Sequence, residues 1–305
     1  MQNQLFARIL LTCISCLTMA VASAQYYFHD GRHYSGDLVL EAGGSFGIMN
    51  SFTDLGGRKG SGKEFTKDLT LKTSKPSFSI YTLLMYRDAI GFRLEGTFGR
   101  IGMYDSILKT SKEPRYQRNL SFRSKITDIQ LAAEIHPLFF KWYDEGQAPF
   151  WSPYIVAGIG FFSFNPQANL DGRWYDLQPL RLEGQGFDEY PDRKPYKLGQ
   201  FNIPVGIGVK YEAGPSLNVR LEMVYRILST DYLDDVSTTY IDPALFSKYL
   251  QPSQAMIAQR LYSRTQEKDP THFVEDGMTR GLSEKDAFFT IQLKVGMAIR
   301  SRRTD

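Results

Sequence analysis

The residues best placed to do chemistry in this 305-residue chain are four histidines and one acidic run. His29 and His33 flank Asp30-Gly31-Arg32 at the i, i+4 spacing that, on a helix, would turn two imidazoles toward one metal ion. Gly31 and the flanking aromatics argue against a helix there, so the plainer reading is an exposed N-terminal segment. His136 precedes Pro137 at the end of an alternating segment and reads as a turn residue. Asp231, Asp234 and Asp235 lie within residues 230–238, close enough to chelate Ca²⁺, which takes six to eight oxygens. Their spacing is not that of an EF-hand loop and the central Gly is absent, so capping and pairing to nearby Arg is the simpler account. No strand-to-helix Gly-x-Ser-x-Gly elbow stands out and no His is followed by Ser, so the sequence names no nucleophile for a lipid-modifying enzyme. The chain therefore carries no assigned catalytic, cofactor or metal residue. Trp174 and Tyr175, with Asp231, Tyr232, Asp234 and Asp235, are candidates for partner binding or loop packing, since Trp, Tyr and Arg are the usual interface anchors.

The elements that position these residues begin with an export signal. Arg8, the apolar run Ile9 to Val21, and Ala22-Ser23-Ala24 form a signal peptide over residues 1–24, cleaved to leave Gln25 first. Both cysteines, Cys13 and Cys16, fall inside it, so the expected mature chain has no disulfide, thiolate metal site or cysteine nucleophile. Its loss lowers the formal charge from +3 to about +2, with both signs mixed along the chain, which gives no case for nucleic-acid binding. No later stretch reaches the roughly 20 apolar residues of a spanning helix. The Tyr and Phe content suits the aromatic girdles of a membrane barrel.

Eight segments alternate between apolar and polar residues with the period of two expected of strands: Gly36–Ile48, Ser77–Tyr86, Ile90–Tyr104, Ser121–His136, Pro153–Asn165, Phe201–Tyr211, Asn218–Leu228 and Ala287–Arg300. Pro153–Asn165 is apolar on both faces, and its orientation is open. The connections run long, short, long, medium, long, short, long, the pattern of hairpins with tight turns at one rim and extended loops at the other. The fold expected over residues 25–305 is all-β, an eight-stranded antiparallel transmembrane β-barrel with long loops, and the location expected is the cell outer membrane, in contact with its lipid. A broken helix from Pro243 to about Thr265, interrupted near Pro252, is expected in the last loop. The polar faces carry Arg93, Glu95, Asp128, Glu134, Lys210, Arg220, Glu222, Arg226 and Lys294. Both signs are present in similar number, as a lumen filled with paired charges requires, so no open pore is expected.

Residues 170–243 also resemble a known family. Asp171-Gly172-Arg173-Trp174-Tyr175-Asp176-Leu177-Gln178-Pro179-Leu180 with Glu183-Gly184-Gln185-Gly186, then Gln200 to Tyr211, then Asp231 to Thr238 with Tyr240 and Asp242-Pro243, are similar to blocks of the PorG-like outer-membrane barrels. Thr279-Arg280-Gly281 fits as well. The chain departs from many barrels in ending its last strand without a terminal aromatic. That family includes a component of the type IX secretion system together with uncharacterised relatives. The resemblance implies a non-enzymatic, structural role as an anchor for periplasmic ring subunits of a secretion apparatus. A solitary surface-binding barrel is the alternative, with a lipid-modifying outer-membrane enzyme a lesser one.

Overall fold

The computed structural model describes residues 38–55, 71–108, 114–141, 148–214, 216–282 and 284–300; the expected signal peptide, His29 and His33 lie outside them. Eight long strands form where the sequence alternates: β1 (Leu38–Phe52), β2 (Lys75–Tyr86), β3 (Ile90–Tyr104), β4 (Ser121–Ile135), β5 (Trp151–Ser163), β8 (Gly199–Gly214), β9 (Leu217–Leu228) and β10 (Ala287–Arg300). Between β5 and β8 stands a short hairpin, β6 (Pro166–Leu170) and β7 (Arg173–Asp176). Every pairing is antiparallel, in the order β3-β2-β1-β10-β9-β8-β5-β4, and β3 pairs with β4 to close the ring. Closure satisfies every strand edge, which a sheet surrounded by lipid requires.

The register puts apolar side chains outside and charges inside. Phe201, Phe46 and Ile207 are 70%, 67% and 65% exposed, whereas Arg93, Glu134 and Lys294 are fully buried, the reverse of a water-soluble protein. The orientation of β5 is now fixed: Trp151, Ile155, Ile159 and Phe161 face out, while Ser152, Tyr154, Val156 and Phe162 face in. Gly208 on β8 makes this possible, because a Cβ there would strike the Tyr154 ring. Ten residue steps from Trp151 to Phe161 cover roughly 33 Å of strand, or roughly 25 Å of height at a tilt near 40°, which matches the apolar band of a membrane barrel. Aromatic pairs mark both borders: Trp151 on Tyr211 at the short-turn rim, and Phe78 on Phe98 and Phe161 on Phe201 toward the long loops. Among the described residues no helix is long and apolar enough to cross a membrane.

The long connections fold into a cap. The β6–β7 hairpin falls where the sequence reading placed a plain loop. Its turn, Asp171-Gly172, has positive φ at both residues, the geometry that suits a two-residue hairpin, and β6 pairs antiparallel with β4 at Arg123 and Ser124. Short helices α1 (Pro114–Arg118), α2 (Leu245–Tyr249) and α3 (Pro252–Leu261) complete the cap; α2 and α3 are the expected broken helix, with Pro252 opening the second piece. The apolar faces of α2 and α3 bury Leu177, Leu182, Phe187, Tyr240, Phe246 and Leu261 in one cluster. A second cluster, with Met49, Ile101, Phe122, Phe162, Leu233 and Phe288, joins the barrel's upper interior to the cap.

Candidate functional site

The barrel interior is a continuous network of paired charges. Arg93 on β3 donates to Glu134 at 2.5 Å and to Glu222 at 2.6 and 3.2 Å, and its Nε lies 3.0 Å from Glu95. Lys294 on β10 meets Glu95 at 2.5 Å and Glu222 at 3.0 Å from the opposite wall. Below them Arg220 grips Glu41, which also accepts from Tyr81 at 2.7 Å and Asn218 at 2.6 Å. Above them Arg226 donates to Asp128 at 2.7 Å and to Thr290 at 2.9 Å. At the short-turn rim Lys210 lies 3.2 Å from Glu212 and 3.4 Å from Asp88. All nine charged residues assigned inward from the sequence are buried here, and Glu41 joins them. Charges taken out of water are tolerable when each has a partner, and these chains cross the lumen from wall to wall.

A serine, a histidine and a carboxylate do come together. His136 Nδ1 lies 2.8 Å from Ser152 Oγ, and its Nε2 is 3.4 Å from Glu134. The sequence reading treated His136 as a turn residue, but its side chain makes no capping bond and instead stacks on Tyr154 with ring centroids 4.9 Å apart. Burial, reinforced by Lys210, holds the imidazole below its ordinary pKa against the opposing pull of Glu134. Ser152, His136 and Glu134 each have no exposed surface, so no substrate can reach the hydroxyl, and the trio works as packing. Gly43-Gly44-Ser45-Phe46-Gly47 matches a nucleophile-elbow spacing that the sequence reading passed over, yet it lies inside β1 with Ser45 facing Ser79, not at a strand-to-helix turn.

The six candidate residues all lie at the long-loop end, in two separate settings. Trp174 on β7 lies over Arg123 of β4, the guanidinium carbon 3.7 Å from its ring, and is 39% exposed. Tyr175 is half-buried against the α-helical cluster. The acidic run belongs to the cap's interior. Asp234 accepts from the backbone N–H of Leu55 and Val236, tying the β1–β2 loop to the β9–β10 loop. Asp235, at φ 66°, accepts from the Tyr196 hydroxyl at 2.6 Å, and Tyr196 in turn stacks on Tyr232. Asp231 accepts from Ser237 Oγ at 2.6 Å. Burial pushes Asp231 up to about 8, Asp235 to about 7 and Asp54 to about 6, and it raises Asp234 and Asp286 strongly, with mutual repulsion among Asp54, Asp231, Asp234 and Asp286 adding to the effect. Among the described residues no group of His, Cys, Asp and Glu has the arrangement to hold a metal ion.

The residues that organise this cap were not singled out from sequence. Glu183 accepts from the N–H groups of Ser237 and Thr238 at 3.0 Å each and pairs with Arg280 at 2.9 Å. Arg280 also donates to the Asp235 carbonyl, while Arg118, held by Asp105 through two bonds, donates to the carbonyls of Asp54 and Arg280. Four loops are thereby fastened at one buried hub. Arg280 and Glu183 do stand inside the resembling blocks, which was the available signal.

A closed eight-stranded ring, an apolar exterior band, a charge-filled lumen and a folded cap define a transmembrane β-barrel without an open channel. No protein-family model matches the sequence, and no curated protein matches it. Among solved structures the chain is similar to Neisserial surface protein A (10% identity, covering 86% of this chain and 97% of that one, TM-score 0.36). It is also similar to Ail, the attachment invasion locus protein of Yersinia pestis (9%, 86% and 97%, 0.34), and to OprG of Pseudomonas aeruginosa (11%, 89% and 99%, 0.34).

Proposed function

We propose that this protein is a non-enzymatic outer-membrane barrel that serves as a structural, partner-anchoring subunit, and that its apparatus is the type IX secretion system. The observation that carries the structural part is the lumen: salt-bridged chains from Glu41 to Asp128 leave no conduit, so the barrel is a fixture and not a passage. The Ser152–His136–Glu134 trio is sealed, so it gives the lipid-enzyme alternative no support among the described residues. The secretion part rests on the resemblance of the 170–243 region. In a barrel of this class short turns face the periplasm and long loops face outward. On that orientation ring subunits meet the rim formed by Arg87 and Asp88, residues 137–141 and the hairpin ends of β8 and β9. Trp174 and the acidic run are then not their contacts.

The test is a C-terminal tag, cross-linking in intact cells, and identification of what co-purifies from solubilised outer membrane. Enrichment of periplasmic ring subunits is the expected result. Recovery with assembly factors and lipid alone would refute the secretion reading. It would favour the second one, a solitary surface-binding barrel, to which the large folded cap at the long-loop end already points.

A further inference from the structure

The outer face of the β3–β4 hairpin changes character abruptly at the border of the apolar band. On β3 the outward row runs Phe92, Leu94, Gly96, Phe98 and then Arg100; on β4 it runs Leu131, Ile129, Thr127 and then Lys125 and Arg123. Arg100 and Lys125 are cross-strand partners, two residues above the Phe98–Thr127 pair, and Arg123 is two residues higher still. At about 3.3 Å per residue and a tilt near 40°, Arg100 and Lys125 stand about 5 Å above the band's edge and Arg123 about 10 Å above it. Arg100 and Lys125 thus stand within the headgroup layer, which adds roughly 5–7 Å to each side of the hydrocarbon core, and Arg123 stands just beyond its outer edge. All three side chains are exposed. Among the described residues of the eight barrel strands, these are the Lys and Arg found on lipid-facing rows, and no ion pair involves them. Arg123 is instead held flat under the Trp174 ring and bonded to Gln167, whose own amide reaches Asp176.

We propose that Arg100, Lys125 and Arg123, with Trp174 as the covering aromatic, form a binding surface for phosphate-bearing lipid headgroups of the leaflet at the long-loop end. The occupant follows from continuity. The rows below these residues are in lipid, so the groups directly beside the cations are the headgroups of that same leaflet, and three cations without a carboxylate partner complement phosphates. Trp174, an amphipathic ring, covers Arg123 on the water side of that layer. The proposal rests on the membrane-spanning barrel and is independent of the secretion reading.

The test uses the full-length protein purified in detergent, with bisphosphorylated and dephosphorylated lipid A as probes and native mass spectrometry as the readout. The wild type is expected to retain the bisphosphorylated lipid preferentially, with affinity falling as salt rises. Each cation near a charged surface contributes about fivefold, so Arg100→Gln/Lys125→Gln should bind about 25-fold more weakly. Arg100→Lys/Lys125→Arg should restore binding. Equal retention of both lipids by the wild type overturns the proposal without any variant. Undiminished binding by the double Gln variant, shown to be folded by its heat-dependent gel mobility, overturns it as well.

Discussion

Replacing Arg93 with Met tests whether the lumen is held by charge pairing. Arg93 serves three carboxylates, and the structure shows how unequally they would be left. Glu95 and Glu222 keep Lys294 at 2.5 and 3.0 Å. Glu134 keeps no Lys or Arg within ion-pair distance among the described residues, and its remaining close contact is His136 at 3.4 Å. One buried carboxylate is therefore stranded, and stranding a buried charge costs about 3–5 kcal/mol. At about 4 kcal/mol the folded-to-unfolded ratio falls roughly a thousandfold. Equilibrium urea unfolding in lipid vesicles, followed by the fluorescence of the three tryptophans, measures this. Arg93→Met/Glu134→Gln should recover more than half of the loss, since it removes the stranded charge and leaves the Lys294 pairs intact. A loss below about 1 kcal/mol for Arg93→Met, or no recovery in the double variant, would refute the reasoning.

The cap should loosen as pH rises. Asp231 binds its proton more tightly folded (about 8) than unfolded (3.8), so its stabilising contribution is complete in acid and is lost as pH passes through about 8. The protection factors of the 233–238 amides, with the intrinsic base-catalysed rise of exchange divided out, should fall between about pH 6 and 9 in the wild type, and Asp231→Asn should flatten that fall, leaving the inflection near 7 that belongs to Asp235; an unaltered curve in the variant contradicts the assignment. Orientation is read by single cysteines, because both native cysteines lie in the expected signal peptide. Gly172→Cys at the β6–β7 tip should react with an impermeant maleimide on intact cells and Arg87→Cys should not; the opposite labelling would invert the barrel.

The barrel was legible in the sequence because lipid outside and charges inside both enforce a period of two, and a one-residue slip would reverse every side chain. Thus Arg93, Glu222 and Lys294 were placed inward before their partners were known. What escaped was whatever depends on residues far apart in the chain. Ser152 and His136 are neighbours only because β4 and β5 bring their ends together, and no local motif announces that contact. Arg118, Arg280 and Glu183 tie three of the hub's four loops together across separations of 162 and 97 residues. The β6–β7 hairpin was the exception: Asp171-Gly172 between alternating residues is a hairpin signal, passed over inside a long connection. The acidic run stands out in the sequence as a candidate for loop packing or partner binding, and in the structure Asp234 and Asp231 accept hydrogen bonds from the loops around them.

The two ends of the molecule are built for different work. At the short-turn rim the backbone makes tight reversals, with Arg87 and Asp88 both at positive φ, and side chains such as Phe140 and Trp151 remain exposed. At the other end four loops are drawn onto one buried hub, and their carboxylates are consumed in holding backbone N–H groups. A loop set meant to adapt to a ligand would keep such groups free, since segments that move come from the weakly fastened parts of a fold. The cap therefore presents a fixed surface, and the filled lumen carries no flow between the two faces. On the proposed anchor role, recognition at either end would use preformed surface: a body set in lipid, meeting partners by shape.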